Sequence, residues 1–464
     1  SSHPGSRLKA SSRRQSILPP PGHVKTPLFA PPPPAGATPG SEMAGAPLAL
    51  AALVLAGVAA PTQASFLEPA GRSLRGSSAR TALLASKGGQ VPPLSVPNSS
   101  TPIHLLISAF QDGQRCANTI SRALLQADHP QRVSFNVLQA EGAGDVDCLQ
   151  EFKDRHLPKL CSDGSCAPRV LARVHFWKIP RREGKGPVHQ RGLLSERADL
   201  SGKDSMCLST DSHMDFTKGW DTDLLEDWTA TDNEFAVLTA YPLATADAAI
   251  AGKSSWISLC GYFLMGGVPR GATGGTMTNL EGSGRKPTLT MNWAAGQSFS
   301  RCHAERNVPV DKHLAWMFNG EEVNRAVRLW THGYDLYNPG VNVVLHNYSH
   351  ASQAFWSYES PASSDGETSA ERLQALLQGR AAARDFGKYG LGDQRSLEDY
   401  VTWSHTDLGG NWKSFLEGKG IEPMFAKENG LGGLQQPGSQ TDFCSGLRRP
   451  PVRSAEALVA SAEP

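Results

Sequence analysis

Short apolar runs alternate with helical stretches from residue 103 onward, and this alternation constrains the fold more than any other feature of the chain. Ile103-His104-Leu105-Leu106-Ile107-Ser108 is the kind of short, mostly apolar run that a buried strand requires. Over residues 114–127, Ile120, Ala123, Leu124 and Ala127 fall on one helical face. Residues 133–138 predict a second strand, 169–177 a third and 206–210 a fourth. Pro187 suits the first position of a helix running through Leu193 and Leu194, because its missing N–H would be unpaired there anyway. Successive parallel strands need such crossovers, so the pattern predicts an α/β fold with a central, mainly parallel sheet covered on both faces. In such sheets ligands bind beyond the carboxyl ends of the strands, which makes those ends the expected place for chemistry.

The ends of the chain read differently. Residues 1–42 are proline-rich and poor in large apolar side chains, so a disordered leader is expected there. Within residues 43–64, an Ala/Leu/Val run from Ala46 to Ala60 precedes Pro61-Thr62-Gln63-Ala64, the pattern of a secretory signal; an Ala-rich helical piece within the leader is the other reading. A signal would direct the protein to the secretory pathway or Golgi, and without one a cytoplasmic place is expected. Residues 65–100 read as a linker, 101–357 as the main domain, 358–410 as a helical extension and 411–464 as a loop-rich tail. No apolar run has the length of a spanning helix. The 45 basic side chains are offset by 44 acidic ones, so no whole-chain field favours nucleic acid. Of eight cysteines, Cys161 and Cys166 flank a turn-like Ser-Asp-Gly-Ser and suit a small disulfide loop; a zinc site finds no second pair of matching spacing. Asn98-Ser99-Ser100 and Asn347-Tyr348-Ser349 fit the glycosylation sequon.

Three motifs are suited to chemistry. Asp211-Ser212-His213 follows the fourth predicted strand, and alternation puts Asp211 and His213 on one side of an extended segment. Together they can bind a divalent cation, although on spacing alone an Asp that caps the next turn is the favoured reading. Asn319-Gly320-Glu321-Glu322 opens a helix whose Val323, Ala326, Val327 and Trp330 share a face and which Gly333 ends. The helix dipole accounts for one first-turn carboxylate; the second is available to face a cleft. Trp330 is read as a core residue. His346 closes the run Val341-Asn342-Val343-Val344-Leu345 and becomes a third metal ligand only if its strand end meets Asp211 and His213. The phosphate-binding P-loop and nucleophile-elbow patterns are both missing. Glycine-rich stretches at 271–275 and 282–284 read as loops, and 269–286 as an insertion.

In this order the pieces resemble glycosyltransferase family 60, the N-acetylglucosaminyltransferases that modify hydroxyproline on the adaptor subunit of an SCF-type ubiquitin ligase. The resemblance runs over roughly residues 103–410. It rests on Ile107 to Asp112, Gln126 to Val133, Gly186-Pro187 with Arg191, Thr210-Asp211-Ser212-His213-Met214 and Gly219-Trp220-Asp221. It continues through Ala294-Ala295-Gly296, Val308 to Asp311, Gly320-Glu321-Glu322, Arg328 to Asp335, His346, and Arg395 to Tyr400. Gln111, Asp215 and Gln297 depart from the family pattern. The resemblance implies a GT-A type, Rossmann-like fold, with UDP-GlcNAc as donor and a protein hydroxyl, notably hydroxyproline, as acceptor. It implies that Asp211, His213 and His346 hold Mn²⁺ or Mg²⁺, that Asp112 and Arg191 contact uridine or diphosphate, and that Glu321 or Glu322 faces the sugar or orients the acceptor. It further implies retention of anomeric configuration, by front-face attack in the absence of a residue suited to act as covalent nucleophile. A same-fold transferase with another donor or a lumenal acceptor, and a sugar- or protein-binding pseudoenzyme, are the competing readings.

Overall fold

The computed structural model describes residues 91–252, 255–265, 268–278, 286–349, 363–378, 385–404 and 443–463. The expectations for residues 1–64, and most of those for 65–100 and 411–442, lie outside them. All described residues fall within one compact unit, Arg72–Pro464.

Strand β1 (Ile103–Phe110) pairs in parallel with β2 (Val133–Glu141) on one side and β4 (Met206–Asp211) on the other, and β2 pairs in parallel with β3 (Val174–Pro180). Alternation decides which face each side chain covers. Leu105, Ile107, Phe135, Val137 and Leu208 pack against the helix Gly113–Gln126, through Cys116, Ile120 and Leu124, and against Trp220, Leu224 and Trp228 of the helix Trp220–Thr229. Leu106, Leu138, Ala140 and Cys207 point the other way, toward Leu194 of the helix Pro187–Ser195. The sheet continues as β4, β11 (Gln297–Arg301), β6 (Ala236–Ala240), β12 (Asp335–Asn338) and β10 (Thr288–Thr290). Here β11 runs antiparallel to both neighbours, β6 and β12 are parallel, and β10 is antiparallel to β12. The eight-stranded sheet is therefore mixed but mainly parallel, in an α/β fold as the alternation predicts.

A second, three-stranded sheet lies at its rim. In it β13 (Val344–His346) pairs antiparallel with β5 (Met214–Phe216) and parallel with β7 (Leu243–Ala244). The helix Glu321–Thr331 is buried along its whole length. Val323, Val327 and Trp330 face one apolar cluster, which includes Leu373, Leu377 and Tyr400 of the two helices that follow it. Ala326 and Leu329 face another, which includes Tyr334 and Leu458. Gly333 ends the helix at φ 94°, and a Cβ there would come within 2.8 Å of Leu458.

Three expectations are corrected. Residues 169–177 are not one strand: a short helix, Ala167–Leu171, with Pro168 in its first turn, precedes β3. Gly271 to Gly275 form no loop but lie in β9 (Val268–Thr278), which pairs antiparallel with β8 (Ser255–Met265), because backbone pairing needs no side chains; 282–284 lie outside the described residues. The end of the tail is not loop but the helix Ala455–Ala462, capped by Ser454 Oγ on Ala457 N, with Ala455, Leu458, Val459 and Ala462 on its buried face. Among the described residues no helix is long and apolar enough to cross a membrane.

Candidate active site

Strand order places the candidate residues before any side-chain contact does. Ser108 of β1 lies opposite Asp211, the last residue of β4, so the turns leaving both strands emerge at one carboxyl rim. The β1 turn delivers Asp112, and the β4 turn delivers Ser212 and His213. Thr119 of the intervening helix fixes the second turn, its Oγ1 donating to Ser212 O (2.9 Å) and accepting from Met214 N (2.8 Å). His346 comes from 133 residues further along the chain. The small sheet carries it in, with His346 in register with Met214, and Asn347 N donates to His213 O at 2.9 Å.

Asp211, His213 and His346 consequently offer one ligand atom each within 4.8 Å of one another. The His213 and His346 rings meet edge to face at 4.5 Å, and His346 Nε2 lies 3.4 Å from Asp211 Oδ2. Asp112 Oδ2 sits 2.8 Å from His213 Nδ1, accepts Ser212 Oγ at 2.8 Å, and its Oδ1 accepts Arg115 Nε at 2.6 Å. Burial opposes charge on Asp112, yet these bonds from His213 and Arg115 hold its carboxyl below the usual range. Asp112 thus engages Nδ1 of His213 and leaves Nε2 as that ring's ligand atom, a common arrangement around metal-bound imidazoles. His346 Nδ1 is buried and finds no hydrogen-bond partner among the described residues, and the Tyr348 ring lies 4.0 Å from its ring. One carboxylate and two imidazoles converging this way fit a divalent cation.

On the other side of Asp211, Arg191 Nη2 donates to Asp211 Oδ1 (2.5 Å), and its Nη1 donates to Glu321 (2.6 and 2.7 Å). Burial opposes charge on both Arg191 and Asp211. The two carboxylates nevertheless hold Arg191 protonated, while Arg191, His346 and His213 hold Asp211 far below the usual carboxylate range. Burial pushes Glu321 up to about 6; Arg191 opposes this and Glu322 beside it adds to it. Glu321 reaches Arg191 because Gly320, at φ 101°, turns the chain into the first helical turn. Gly296 completes the wall: a Cβ there would come within 2.7 Å of Pro242 and 3.7 Å of Asp211 Oδ2.

Asp112, His213, His346, Asp211, Arg191 and Glu321 therefore form one unbroken series of contacts. Glu322 stands apart from it and accepts a hydrogen bond from the Tyr241 hydroxyl at 2.7 Å. Arg115, Tyr241 and Tyr348 escaped the sequence reading. Arg115 had a local signal, standing three residues after Asp112; Tyr241, 81 residues from Glu322, had none.

Among curated proteins, nothing matches this chain. Solved structures similar to it include GalNAc-T7 with UDP, GalNAc and Mn²⁺ (12% identity, TM-score 0.40, 68% of this chain and 56% of that one). A mannosyltransferase from Pyrobaculum calidifontis, with GDP-Man and Mn²⁺, shares 10% identity at TM-score 0.34 over 73% and 91% of the two chains. S. aureus TarS 1–349 with UDP-GlcNAc shares 8% at TM-score 0.35 over 62% and 68%. The chain thus spans little more than half the length of the GalNAc-T7 chain, and at these scores the likenesses are distant. The family described as glycosyltransferase (GlcNAc) matches residues 102–409, which takes in β1 through β13 and every residue of the site. On that match, covering well over half of the sequence, the chain belongs to the glycosyltransferase (GlcNAc) family.

Proposed function

We propose that this protein moves GlcNAc from UDP-GlcNAc to a protein hydroxyl, hydroxyproline in the first instance, with retention of configuration. The observation that carries this reading is the gathering of Asp211, His213 and His346 within 4.8 Å beside the Arg191–Glu321 pair, in a chain of the GlcNAc family. Asp211, His213 and His346 would hold the cation, Mn²⁺ or Mg²⁺, which when bound supplies positive charge against the negative charge gathering on the leaving UDP.

The chain's own residues set the geometry. Asp112 orients His213 through Nδ1. Arg191 bridges Asp211 and Glu321 at fixed distances and offsets one of their two negative charges, which lessens the repulsion an approaching diphosphate meets at this flank. Glu321, at the start of its helix, orients the acceptor hydroxyl or the sugar, while Tyr241 fixes Glu322 behind it. With no residue among those described placed as a covalent nucleophile, the acceptor oxygen attacks the anomeric carbon from the face that UDP leaves. The new C–O bond forms as the bond to phosphate breaks, and the hydroxyl proton passes to the departing phosphate oxygen. Positioning and fixed charge supply most of such a rate gain.

The test is UDP release from UDP-GlcNAc, with and without Mn²⁺, on the wild type and on Asp211→Ala. The expected result is metal-dependent release that falls by about 100-fold or more in the variant, with an unchanged circular dichroism spectrum. Turnover that persists undiminished in EDTA removes the cation from the reaction. Tight UDP binding without turnover makes the protein a binder.

A further inference from the structure

All eight cysteines of the sequence lie among the described residues, and all eight are joined: Cys116–Cys148, Cys161–Cys166, Cys207–Cys302 and Cys260–Cys444. Their Cα separations of 5.6, 5.4, 4.9 and 6.0 Å are those a disulfide spans without moving the backbone. Three of the bonds join segments 32, 95 and 184 residues apart, so they tie layers of the fold rather than local turns. Cys207 stands in β4, four residues before Asp211, and its partner begins the helix after β11. The cysteines gather only in separate pairs, and the one candidate metal cluster among the described residues contains none of them. A reducing cytosol holds thiols apart, whereas an oxidising lumen pairs them.

A second observation is independent of the first. The Asn98-Ser99-Ser100 sequon is exposed and already folded as a turn, with Ser100 N and Ser100 Oγ donating to Asn98 Oδ1 at 2.8 and 2.6 Å.

We infer that this chain folds in the oxidising lumen of the secretory route, and that its acceptor is a hydroxyl on a protein passing through that lumen rather than a cytosolic ubiquitin-ligase adaptor. The acceptor half of the inference rests on the transferase reading. Each bond forms as two thiols give up two electrons and two protons to a disulfide-bearing oxidoreductase of that lumen. In the same place Asn98 becomes a glycan acceptor: its amide nitrogen bonds to the sugar of a polyprenyl-diphosphate oligosaccharide, losing one proton as the bond to diphosphate breaks.

The test uses the full chain isolated from cells that make it, with thiols trapped by N-ethylmaleimide and the denatured protein mapped by mass spectrometry. The inference expects no trapped cysteine, four linked peptides, and a mass loss at Asn98 on endoglycosidase treatment that Asn98→Gln abolishes. Alkylation of the cysteines throughout the population overturns it. UDP release measured on the same material separates the two readings: a fully reduced chain that turns over sinks the compartment and spares the transferase, and a disulfide-bonded chain that never releases UDP does the reverse. Labelled GlcNAc entering lumenal rather than cytosolic proteins supports the acceptor class, and the opposite distribution contradicts it.

Discussion

The two halves of the large sheet, divided at β4, are built by different means. In β1, β2 and β3 the strands follow chain order with helices between them, and apolar alternation holds them together. In β11, β6, β12 and β10 the order is scrambled and the directions are mixed. Both halves carry ties between side chains: Cys116–Cys148, Cys161–Cys166 and the buried Arg132–Asp221 pair (2.7 Å) in the first, Cys260–Cys444 and the buried pairs Arg325–Glu305 (2.8 Å) and Arg395–Asp335 (2.9 Å) in the second, with Cys207–Cys302 at the boundary. The difference lies in reach: the disulfides of the first half close spans of 32 and 5 residues, whereas those at the seam and beyond it close 95 and 184, so strands out of chain order are tied across longer stretches. Asp211, at the end of β4, stands on the seam, with the turns of the first half on one side of it and Gly296 of the second on the other.

The comparison can be broken or sharpened in decreasing steps. Replacing Cys207 and Cys302 together by Ala should cost about 4–5 kcal/mol by the chain-entropy relation for a long loop, against about 2 kcal/mol for the Cys161/Cys166 pair. Denaturant unfolding of the two double variants checks this, and equal losses would show that the seam needs no covalent tie. Glu305→Ala should cost about 3–5 kcal/mol, because it leaves Arg325, 1% exposed, as an uncompensated buried charge. A midpoint shift below about 1 kcal/mol would mean that water reaches the guanidinium.

Acid gives the smallest graded effect. Burial, before any other cause, depresses the pKa of His104 in β1 and of His303 and His332 in the second half. Each is harder to protonate in the folded chain than in the unfolded one, which takes up protons near 6.5. Their contribution is complete above that pH and is lost as pH falls below it, by at most about 1.4 kcal/mol per unit for each histidine. Melting temperature followed from pH 7.5 to 5 should therefore fall; a rise would reverse the sign of the account.

The same contrast explains what could be read from the sequence. Strands β1, β2 and β4 and the two helices between them follow from the spacing of Leu105, Ile120, Leu138 and Leu194, because burial there is periodic. Strand β9 was illegible, since Gly271 pairs with Tyr262 through backbone alone and the register shifts on either side of Leu259. The helix Ala455–Ala462 was legible in the spacing of Ala455, Leu458, Val459 and Ala462 but is short and follows proline-rich chain, which masks it. In the site, Asp211, His213 and Glu321 stand in local motifs. What draws His346 to them is its register with Met214 in a strand of three residues, too short to announce itself. Arg191 gave no sign that it would engage protein carboxylates on both sides rather than stand open to a ligand.

The central claim, that side chains remote in sequence hold one cation at this rim, is tested most directly by titrating Mn²⁺ into the full chain and into His346→Ala, read by electron paramagnetic resonance. The account predicts a single stoichiometric site in the wild type, weakened at least about 10-fold in the variant by loss of one ligand. Equal binding by the two proteins, or none by either in the presence of UDP-GlcNAc, would contradict it.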